Sequence, residues 1–291
     1  MSIFEEISKK FYLPNAWNDW EEYREGLTDL IIGYGKKTDS RTLSIIGAGR
    51  CNDVDLRLLA EHFERIVLFD YDAESMEKAV KSYGSECRDR NQFEICVSSL
   101  TGIKREDLES FFEKVMIRTR GVGRTLTFNK LEKILSEEVE ALKSMMTGSK
   151  GKLCSVLPEA DIIVCNGVFS QLLSTISFFI RSVVASVPES LGTDGEAVVL
   201  RMEKKLHEIN NEMIPDIISS IVYDSKNAAV FGNEYSESRP VEGAFQCIDA
   251  IRKSRWKTEE LRGVWDFNRA SNVRYEMLIQ TITPQLSSLP D

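Results

Sequence analysis

Short apolar runs alternate with amphipathic segments through the first part of the chain. Three runs, at residues 43–46, 66–69 and 93–97, have the length and the β-branched or aromatic content of buried strands. Between them, residues 53–63 and 73–83 repeat apolar positions every three or four residues, as helices packed on a sheet do. Strands that alternate with helices predict a parallel, doubly wound α/β sheet.

The later strands follow the same order along the chain. Apolar runs at residues 161–165 and 228–231 predict a fourth and a fifth strand, each next to helical sequence. Two extended segments, 261–265 and 275–282, are joined by a polar loop and predict a terminal β-hairpin. The expected fold class is therefore α/β, with a doubly wound, mostly parallel seven-stranded sheet that ends in a C-terminal antiparallel hairpin.

Helical sequence outside this pattern predicts two additions to the sheet. Residues 1–40 are expected to form a helical N-terminal cap, and residues 41–291 a Rossmann-like domain. A crossover in such a sheet needs only one helix, so the long helical stretch at about 101–159 is expected to be an insertion.

Three aromatic residues in the cap, Trp17, Trp20 and Tyr23, recur at intervals of three and therefore lie near one helical face. They either pack on the main domain or form a lid over a ligand pocket, since aromatic rings combine a large apolar area with a polar tip. The sequence leaves both interpretations open.

The composition is that of an ordinary globular protein, with 42% hydrophobic and 29% charged residues among 291. The formal net charge of −9 repels phosphate backbones, so nucleic acid is not the expected partner. The beginning of the chain lacks the basic start and apolar core of a signal peptide. A long uncharged run lies between Asp161 and Arg181, but its polar positions predict a strand, a turn and an amphipathic helix, so no membrane association is expected.

Cysteine usage bears on the compartment and on metals. The six cysteines are scattered and include no C-x-x-C pair, and the chain has only two histidines. Structural zinc needs clustered ligands, so no metal site is expected. Isolated, reduced thiols favour a cytoplasmic protein.

The region from Ile45 to Asp70 carries the most informative chemistry. Gly47 and Gly49 follow a strand and allow a sharp turn that brings the backbone close to a ligand. The next helix is expected to present free N–H groups, which favour a carboxylate or a phosphate. Asp70 lies 21 residues after Gly49 and ends the second strand, where a carboxylate can bind both ribose hydroxyls. This combination predicts a cofactor that contains a nucleoside.

The residues directly after the glycines distinguish between types of cofactor. A dinucleotide site usually has a third glycine at the helix start, and residues 50–52 do not supply one. Asp53 and Asp55 then place negative charge where a pyrophosphate would lie. S-adenosyl-L-methionine (SAM) carries an amine and a cationic sulfonium, which acidic residues favour. Ordinary capping of the helix by Asn52 or Asp53 is the alternative explanation of these polar residues.

Three segments in this order resemble the motifs of class I SAM-dependent methyltransferases. Residues 43–49 resemble the glycine motif, residues 67–79 the ribose-binding motif, and residues 160–173 the fourth-strand motif that borders cofactor and substrate. The resemblance covers roughly residues 41–100 and 160–282 and implies SAM as the cofactor. The residues that it implies for cofactor binding are Gly47, Ala48, Gly49, Asn52, Asp53, Asp70, Tyr71, Ser99, Leu100, Asn166, Gly167 and Val168.

The sequence departs from the family pattern at three places. Ile45 occupies a position where the family often has an acid, so recognition of the methionyl amine is expected from Asp53 or Asp55. Residues 97–100 lack the aspartate that often holds the adenine amine, so a serine hydroxyl or a backbone group has to serve. Residues 166–169 lack the Asn-Pro-Pro-aromatic pattern of enzymes that methylate DNA adenine or glutamine, which argues against those acceptors.

The sequence identifies no catalytic base. Glu234 and Tyr235 follow the fifth strand, where they either face the acceptor or form a polar exit loop. The basic residues 118–124 either bind an anionic substrate or form a solvated connection.

The sequence therefore predicts a SAM-dependent methyltransferase whose acceptor is a small molecule. An NAD(P)-dependent oxidoreductase and a non-catalytic nucleoside-binding module are the alternatives. The oligomeric state stays open.

Overall fold

The computed structural model describes residues 2–83, 90–123, 126–147, 157–187, 194–239 and 241–284. The chain divides into two compact units. We call the first the helical unit, which comprises Met1–Tyr12, Ser99–Lys152 and Gln171–Met213. The second, the sheet unit, comprises Leu13–Ser98, Leu153–Ser170 and Ile214–Asp291.

The sheet unit contains one seven-stranded sheet in the order β3-β2-β1-β4-β5-β7-β6. Strands β1 to β5 are parallel, whereas β7 runs antiparallel to both β5 and β6. This arrangement confirms the predicted fold class, including the terminal hairpin. The strands are β1 (Thr42–Ile46), β2 (Arg65–Asp70), β3 (Phe93–Val97), β4 (Ala160–Asn166), β5 (Ser225–Glu234), β6 (Lys257–Asn268) and β7 (Val273–Thr283).

The last three strands extend beyond their predicted bounds. Strand β5 continues through Gly232, Asn233 and Glu234, which pair with residues 277–279 of β7. These polar and glycine residues stay in the strand because β7 supplies their hydrogen bonds on the open side of the parallel sheet. Glu234 therefore ends a strand and does not belong to an exit loop.

Helices of the sheet unit bury one face against the strands. Leu27 and Ile31 of α3, together with Leu56 and Leu59 of α4, belong to one buried cluster with the strand residue Ile45. Their spacing of three or four residues produces that apolar face. The helices of this unit are α2 (Ala16–Asp19), α3 (Glu21–Thr38), α4 (Leu56–His62), α5 (Ala73–Tyr83) and α10 (Ala244–Lys253).

The helical unit has its own aromatic core. The ring of Phe179 lies 4.4 Å from that of Phe112 and 5.8 Å from that of Phe111, measured between centroids. The helices of this unit are α1 (Ile3–Ser8), α6 (Arg105–Val122), α7 (Phe128–Thr147) and α8 (Ser174–Ala185). Helix α9 (Gly195–Asp224) begins in the helical unit and ends in the sheet unit.

The described part of the basic stretch, residues 118–123, is helical up to Val122. Residues up to 122 belong to α6, and Arg118 pairs with Glu137 and Glu138 of α7. Hydrogen bonds from Arg118 to these two carboxylates raise its pKa. Arg124 lies outside the described residues. Arg118 therefore joins two helices, and this part of the basic stretch is structural.

Within the described ranges, no helix combines the length and apolar character needed to cross a bilayer. The uncharged run between Asp161 and Arg181 forms most of β4, a turn and then the greater part of α8, as its polar positions predict.

Candidate functional site

The chain turns sharply at the carboxyl end of β1. Gly47 and Gly49 both have positive φ values, +69° and +48°, which side chains rarely tolerate. The Gly47 N–H donates to the Phe69 carbonyl over 2.8 Å, so the turn is fixed to the end of β2. A Cβ atom on Gly47 would lie 2.4 Å from Cγ2 of Val168. The first glycine is thus required by its backbone angles and by the close approach of the fourth-strand turn.

Asp70 ends β2 beside this turn. Its Oδ2 accepts a hydrogen bond of 3.0 Å from the Gly49 N–H, and its Oδ1 accepts one of 2.9 Å from the Asp72 N–H. Burial raises the pKa of Asp70, although these two N–H donors act to lower it. The Tyr71 backbone N–H also acts on this carboxylate. A carboxylate has about four lone-pair positions, so Asp70 keeps capacity for a further donor such as a hydroxyl.

Asn166, the last residue of β4, links two other elements. Its Nδ2 donates to Oδ2 of Asp53 over 2.7 Å, and its Oδ1 accepts a hydrogen bond of 2.6 Å from the Tyr23 hydroxyl. A Cβ on Gly232 of β5 would lie 2.0 Å from this Oδ1, so only glycine fits there. We call Tyr23, Asn166 and Asp53 the Asn166 cluster.

Charge and burial determine the proton positions in the Asn166 cluster. Burial raises the pKa of Asp53, while the hydrogen bond from Asn166 and the nearby Arg24 guanidinium lower it. Burial and the charges of Asp53 and Glu234 raise the pKa of Tyr23 well above its usual value, so the tyrosine keeps its proton. The protonated Tyr23 hydroxyl donates to Oδ1 of Asn166, and the amide therefore turns its Nδ2 towards Asp53.

Tyr23 reaches this position because α3 packs on β6. Its ring stacks on Trp265 with a centroid distance of 5.0 Å and an interplanar angle of 12°. Trp20 contacts Trp265 edge-on at 4.7 Å and donates from Nε1 to the Phe267 carbonyl over 2.9 Å. The guanidinium carbon of Arg24 lies over the Trp17 ring, 3.6 Å from the ring centroid. The packing interpretation of the N-terminal aromatic residues is therefore confirmed for Trp20 and Tyr23.

The helix after the glycine turn starts later than predicted. Helix α4 begins at Leu56, not at residue 53, and its N-cap is Asp55. The Asp55 carboxylate accepts from the N–H groups of Arg57 and Leu58 and pairs with the Arg57 guanidinium over 3.0 Å. Capping by Asn52 or Asp53 is therefore wrong, and so is the expectation that these N–H groups are free. The cause is local: a carboxylate directly before the helix fills its anion position.

The two acids considered for amine recognition consequently differ. Burial raises the pKa of Asp55, but its hydrogen bonds with Arg57 outweigh this effect and lower the pKa below its usual value. Asp55 is thus committed to α4. Asp53 instead has a raised pKa and contacts the Asn166 side chain, so it is the acid associated with the fourth-strand turn.

The structure brings the other predicted residues of the sheet unit to the same turns. The Ala48 N–H donates to the Phe69 carbonyl over 3.2 Å, and the Asn52 carbonyl accepts from Arg24. Tyr71 follows Asp70 and is 41% exposed. Gly167 has a φ of +64°, and a Cβ there would lie 3.1 Å from the Trp265 ring.

Ser99 and Leu100 follow β3 and belong to the helical unit. The Ser99 hydroxyl lies 2.9 Å from that of Thr101, and Leu100 is buried. The chain enters this segment through the Ser98 N–H, which donates to the Asp70 carbonyl over 3.0 Å.

Glu234 and Tyr235 have different surroundings although they are adjacent. Glu234 is only 7% exposed, and its Oε1 accepts a hydrogen bond of 2.8 Å from the Ser170 hydroxyl. Tyr235 lies beside the guanidinium of Arg262 and lines a cavity of about 230 Å³ with Phe245. Of the two residues, Glu234 is the one joined to the segment that follows β4.

Sequence reasoning missed Tyr23, Gly232 and Ser170 as members of the site. Tyr23 belongs by its spacing to the aromatic residues of the cap, and nothing local connects it with Asn166. Gly232 lies inside a strand, where a glycine often marks a close approach of other atoms, and that signal was available. Within the described residues, no group of three or more His, Cys, Asp or Glu side chains is arranged to hold a metal ion.

Comparison with known proteins gives structural similarity without sequence similarity. No protein-family model matches the sequence, and no curated protein matches it. Among solved structures, the N-methyltransferase NodS from Bradyrhizobium japonicum with S-adenosyl-L-homocysteine has 10% identity and a TM-score of 0.47, and the alignment covers 98% of this chain and 100% of that one. Magnesium protoporphyrin IX methyltransferase from Synechocystis with bound SAM has 7% identity and a TM-score of 0.45, over 93% of this chain and 85% of that one.

A third solved structure, precorrin-6y C5,15-methyltransferase from Geobacter metallireducens, has 8% identity and a TM-score of 0.41 over 89% of each chain. This chain has a seven-stranded α/β sheet in which β7 is antiparallel to its neighbours. A sheet of this kind does not by itself define an activity, which depends on the residues of the site.

The residues around the β1 turn fit SAM in their chemistry. Asp70 keeps acceptor capacity for hydroxyl donors, and the raised pKa of Asp53 marks a carboxyl that a neighbouring cation would stabilise in its charged form. A phosphate would fit neither residue, because its negative charge would be repelled by both carboxylates.

Proposed function

We propose that this protein is a SAM-dependent methyltransferase that acts on a small-molecule acceptor. The observation that carries the proposal is the hydrogen bond from the Gly49 N–H to the Asp70 carboxylate. It joins a glycine turn of positive φ to an acid at the end of the neighbouring strand, with Val168 of the turn after β4 directly against the first glycine. A nucleoside with free hydroxyls complements such a site.

The residues of the sheet unit take separate roles in this proposal. Asp70 accepts hydrogen bonds from the ribose hydroxyls, with Tyr71 beside them. Asp53 receives the methionyl amine, because Asp55 is occupied by α4 and Arg57. The remaining contacts come from the backbone of two turns, formed by Gly47, Ala48, Gly49, Asn52, Asn166, Gly167 and Val168.

The adenine contacts that the sequence assigns to the Ser99 hydroxyl and to the backbone at Leu100 stay a prediction. When bound, SAM supplies a methyl group that is already activated by its sulfonium, so the protein's task is largely to position the acceptor.

Charge supports SAM over a dinucleotide. An anionic pyrophosphate favours free helix N–H groups, and here Asp55 already occupies those of Arg57 and Leu58. Asp53 adds a second acidic group next to the turn. The net charge of −9 likewise favours a small acceptor over a nucleic acid.

Calorimetric titration with SAM tests the proposal directly. The wild-type protein should bind SAM, and Asp70→Asn should weaken that binding by on the order of tenfold or more, because an amide replaces an ionised acceptor of two hydroxyl donors. The exposed Asp29→Asn in α3 is the matched control and should leave the affinity unchanged. Wild-type protein that binds NADH but not SAM would overturn the proposal and favour an oxidoreductase.

A reducing, cytoplasmic location is part of this proposal. The cysteines that the structure describes, Cys51, Cys96, Cys165 and Cys247, are all free thiols. Cys87 and Cys154 lie outside the described residues. Free thiols in a folded protein are typical of a reducing compartment.

A further inference from the structure

Glu234 is a buried carboxyl group with spare hydrogen-bonding capacity. It is 7% exposed, and its Oε1 accepts a hydrogen bond of 2.8 Å from the Ser170 hydroxyl. Among the residues that the structure describes, Oε2 has no hydrogen-bond partner although it is shielded from solvent. A buried, unpaired carboxyl oxygen is costly, so its presence calls for a group that completes it.

The position of Glu234 connects it to the proposed cofactor site through the sheet. Gly232 lies two residues earlier in β5, on the same face of the strand, and its Cα directly adjoins Asn166 and the Tyr23 hydroxyl. Ser170 lies two residues after Val168, which packs against Gly47. Glu234 is thus held at the carboxyl ends of β4 and β5, where sheets of this type place their substrates.

Among the residues that the structure describes, the groups that face Glu234 leave its charge uncompensated. Ser170 faces it from the segment after β4, Tyr23 from α3 and Tyr275 from β7, and none of the three is a cation. Burial raises the pKa of Glu234, while its own backbone N–H and the Ser170 hydroxyl act to lower it. A group that brings both N–H donors and positive charge complements this environment best.

We propose that Glu234 binds the methyl acceptor, that this acceptor is an amine, and that Oε2 receives the proton the amine gives up. The inference rests on the proposed function and names the substrate class for that same site. The bond that forms joins the amine nitrogen to the methyl carbon, and the bond that breaks leaves its electron pair on the sulfur of the cofactor. A bound ammonium first gives one proton to the ionised Glu234, which frees the lone pair of the nitrogen for this attack, so atoms and charge balance.

Three ligands with a common skeleton test this placement by calorimetry without knowledge of the acceptor. S-adenosyl-L-homocysteine is uncharged at sulfur, SAM carries the sulfonium, and sinefungin carries a primary ammonium where SAM has its methyl group. Glu234→Gln should weaken the binding of sinefungin by on the order of tenfold and that of SAM by several-fold, because both ligands place a cation near Oε2. The affinity for S-adenosyl-L-homocysteine, which lacks this cation, should stay unchanged. The exposed Glu237→Gln is the matched control and should change none of the three.

The pH dependence of wild-type binding provides a second measurement that needs no variant. The ratio of SAM affinity to S-adenosyl-L-homocysteine affinity should rise with pH as Glu234 loses its proton, and this rise should vanish in Glu234→Gln. Asp53 also has a raised pKa, but its proposed contact is the amine that both ligands share, so Asp53→Asn should keep the pH dependence of the ratio.

The outcomes separate the inference from the proposed function. Wild-type protein that binds neither SAM nor S-adenosyl-L-homocysteine overturns the proposed function and this inference with it. Protein that binds both, with a ratio that does not depend on pH and a Glu234→Gln variant that changes all three affinities equally, overturns the inference alone.

Discussion

The hydroxyl of Tyr23 donates a hydrogen bond of 2.6 Å to Oδ1 of Asn166, which lies 143 residues further along the chain. This contact ties an N-terminal helix to the carboxyl end of the fourth strand. Because the Asn166 amide also donates to Asp53, the helix holds the fourth-strand turn and the glycine turn in register.

Removal of the Tyr23 hydroxyl should loosen both turns. Tyr23→Phe keeps the ring on Trp265 but leaves Oδ1 of Asn166 buried without its donor, so the free energy of unfolding should fall by about 1–2 kcal/mol. SAM affinity should fall several-fold, since Asn166 no longer orients Asp53. Chemical denaturation and calorimetry measure the two effects. Tyr223→Phe, at a residue that is 78% exposed, should change neither, and an unaltered Tyr23→Phe protein would contradict this role.

The first glycine of the turn should tolerate alanine much less well than the second. Gly47→Ala places a methyl group 2.4 Å from Val168 at a positive φ, so we expect a loss of about 2–4 kcal/mol of stability. Gly49→Ala meets no atom closer than 4.0 Å and should cost about 1 kcal/mol from its backbone angles alone.

A double-mutant cycle identifies the clash as the cause of that difference. Gly47→Ala combined with Val168→Ala should be more stable than the sum of the two single effects, because the second change removes the methyl group that Gly47→Ala meets. Strict additivity in thermal unfolding would show that the backbone angles account for the whole effect.

Substitution of Asp55 should affect stability, whereas substitution of Asp53 should affect ligand affinity. Asp55→Ala removes the N-cap of α4 and should lower the free energy of unfolding by about 1–2 kcal/mol, with SAM affinity retained. Asp53→Ala should instead weaken SAM by on the order of tenfold, since it removes the carboxylate proposed to bind the amine. The reverse pattern in calorimetry and denaturation would reassign amine recognition to Asp55.

Asp224, at the end of α9, should make the protein less stable as pH rises. Burial, together with the charge of Glu159, raises the pKa of Asp224 from 3.8 to about 6 in the folded state. The folded protein therefore holds this proton more tightly than the unfolded chain does, and the free energy of unfolding falls as pH increases from 3.8 through about 6.

Asp224→Asn should remove this dependence. We expect the variant to be more stable than wild type by about 1 kcal/mol near pH 8, and to lose that advantage near pH 4, where the wild-type carboxyl is protonated. Denaturation at several pH values measures the difference. A variant that is less stable at every pH would show that the ionised carboxylate is stabilising in the fold.

The central strands could be predicted from sequence because they are buried on both faces. Parallel strands covered by helices appear as continuous apolar runs, and the runs at residues 43–46 and 66–69 coincide closely with β1 and β2. The end of β5 could not be found in this way, because Gly232, Asn233 and Glu234 are in the strand for reasons of pairing and close approach, neither of which leaves an apolar pattern.

In the candidate site, too, some contacts could be predicted from the sequence and others could not. The pairing of Gly49 with Asp70 depends on a spacing that is visible in the chain, and the structure has that hydrogen bond. The contacts of Asn166 with Tyr23 and of Ser170 with Glu234 join distant segments, and a single sequence carries no local signal for either pair. The start of α4 is misplaced by sequence because Asp53 and Asp55 are equally good caps by composition, and only the backbone distinguishes them.

The capping of α4 by Asp55 has a consequence for competition among adenosine compounds. ATP, ADP and AMP share adenine and ribose with SAM, and all three carry phosphates that seek helix N–H groups. In this protein a carboxylate already accepts from Arg57 and Leu58, so a phosphate entering there meets repulsion instead of donors. Asp55 therefore disfavours phosphate-bearing nucleotides at the proposed nucleoside site without itself contacting the nucleoside.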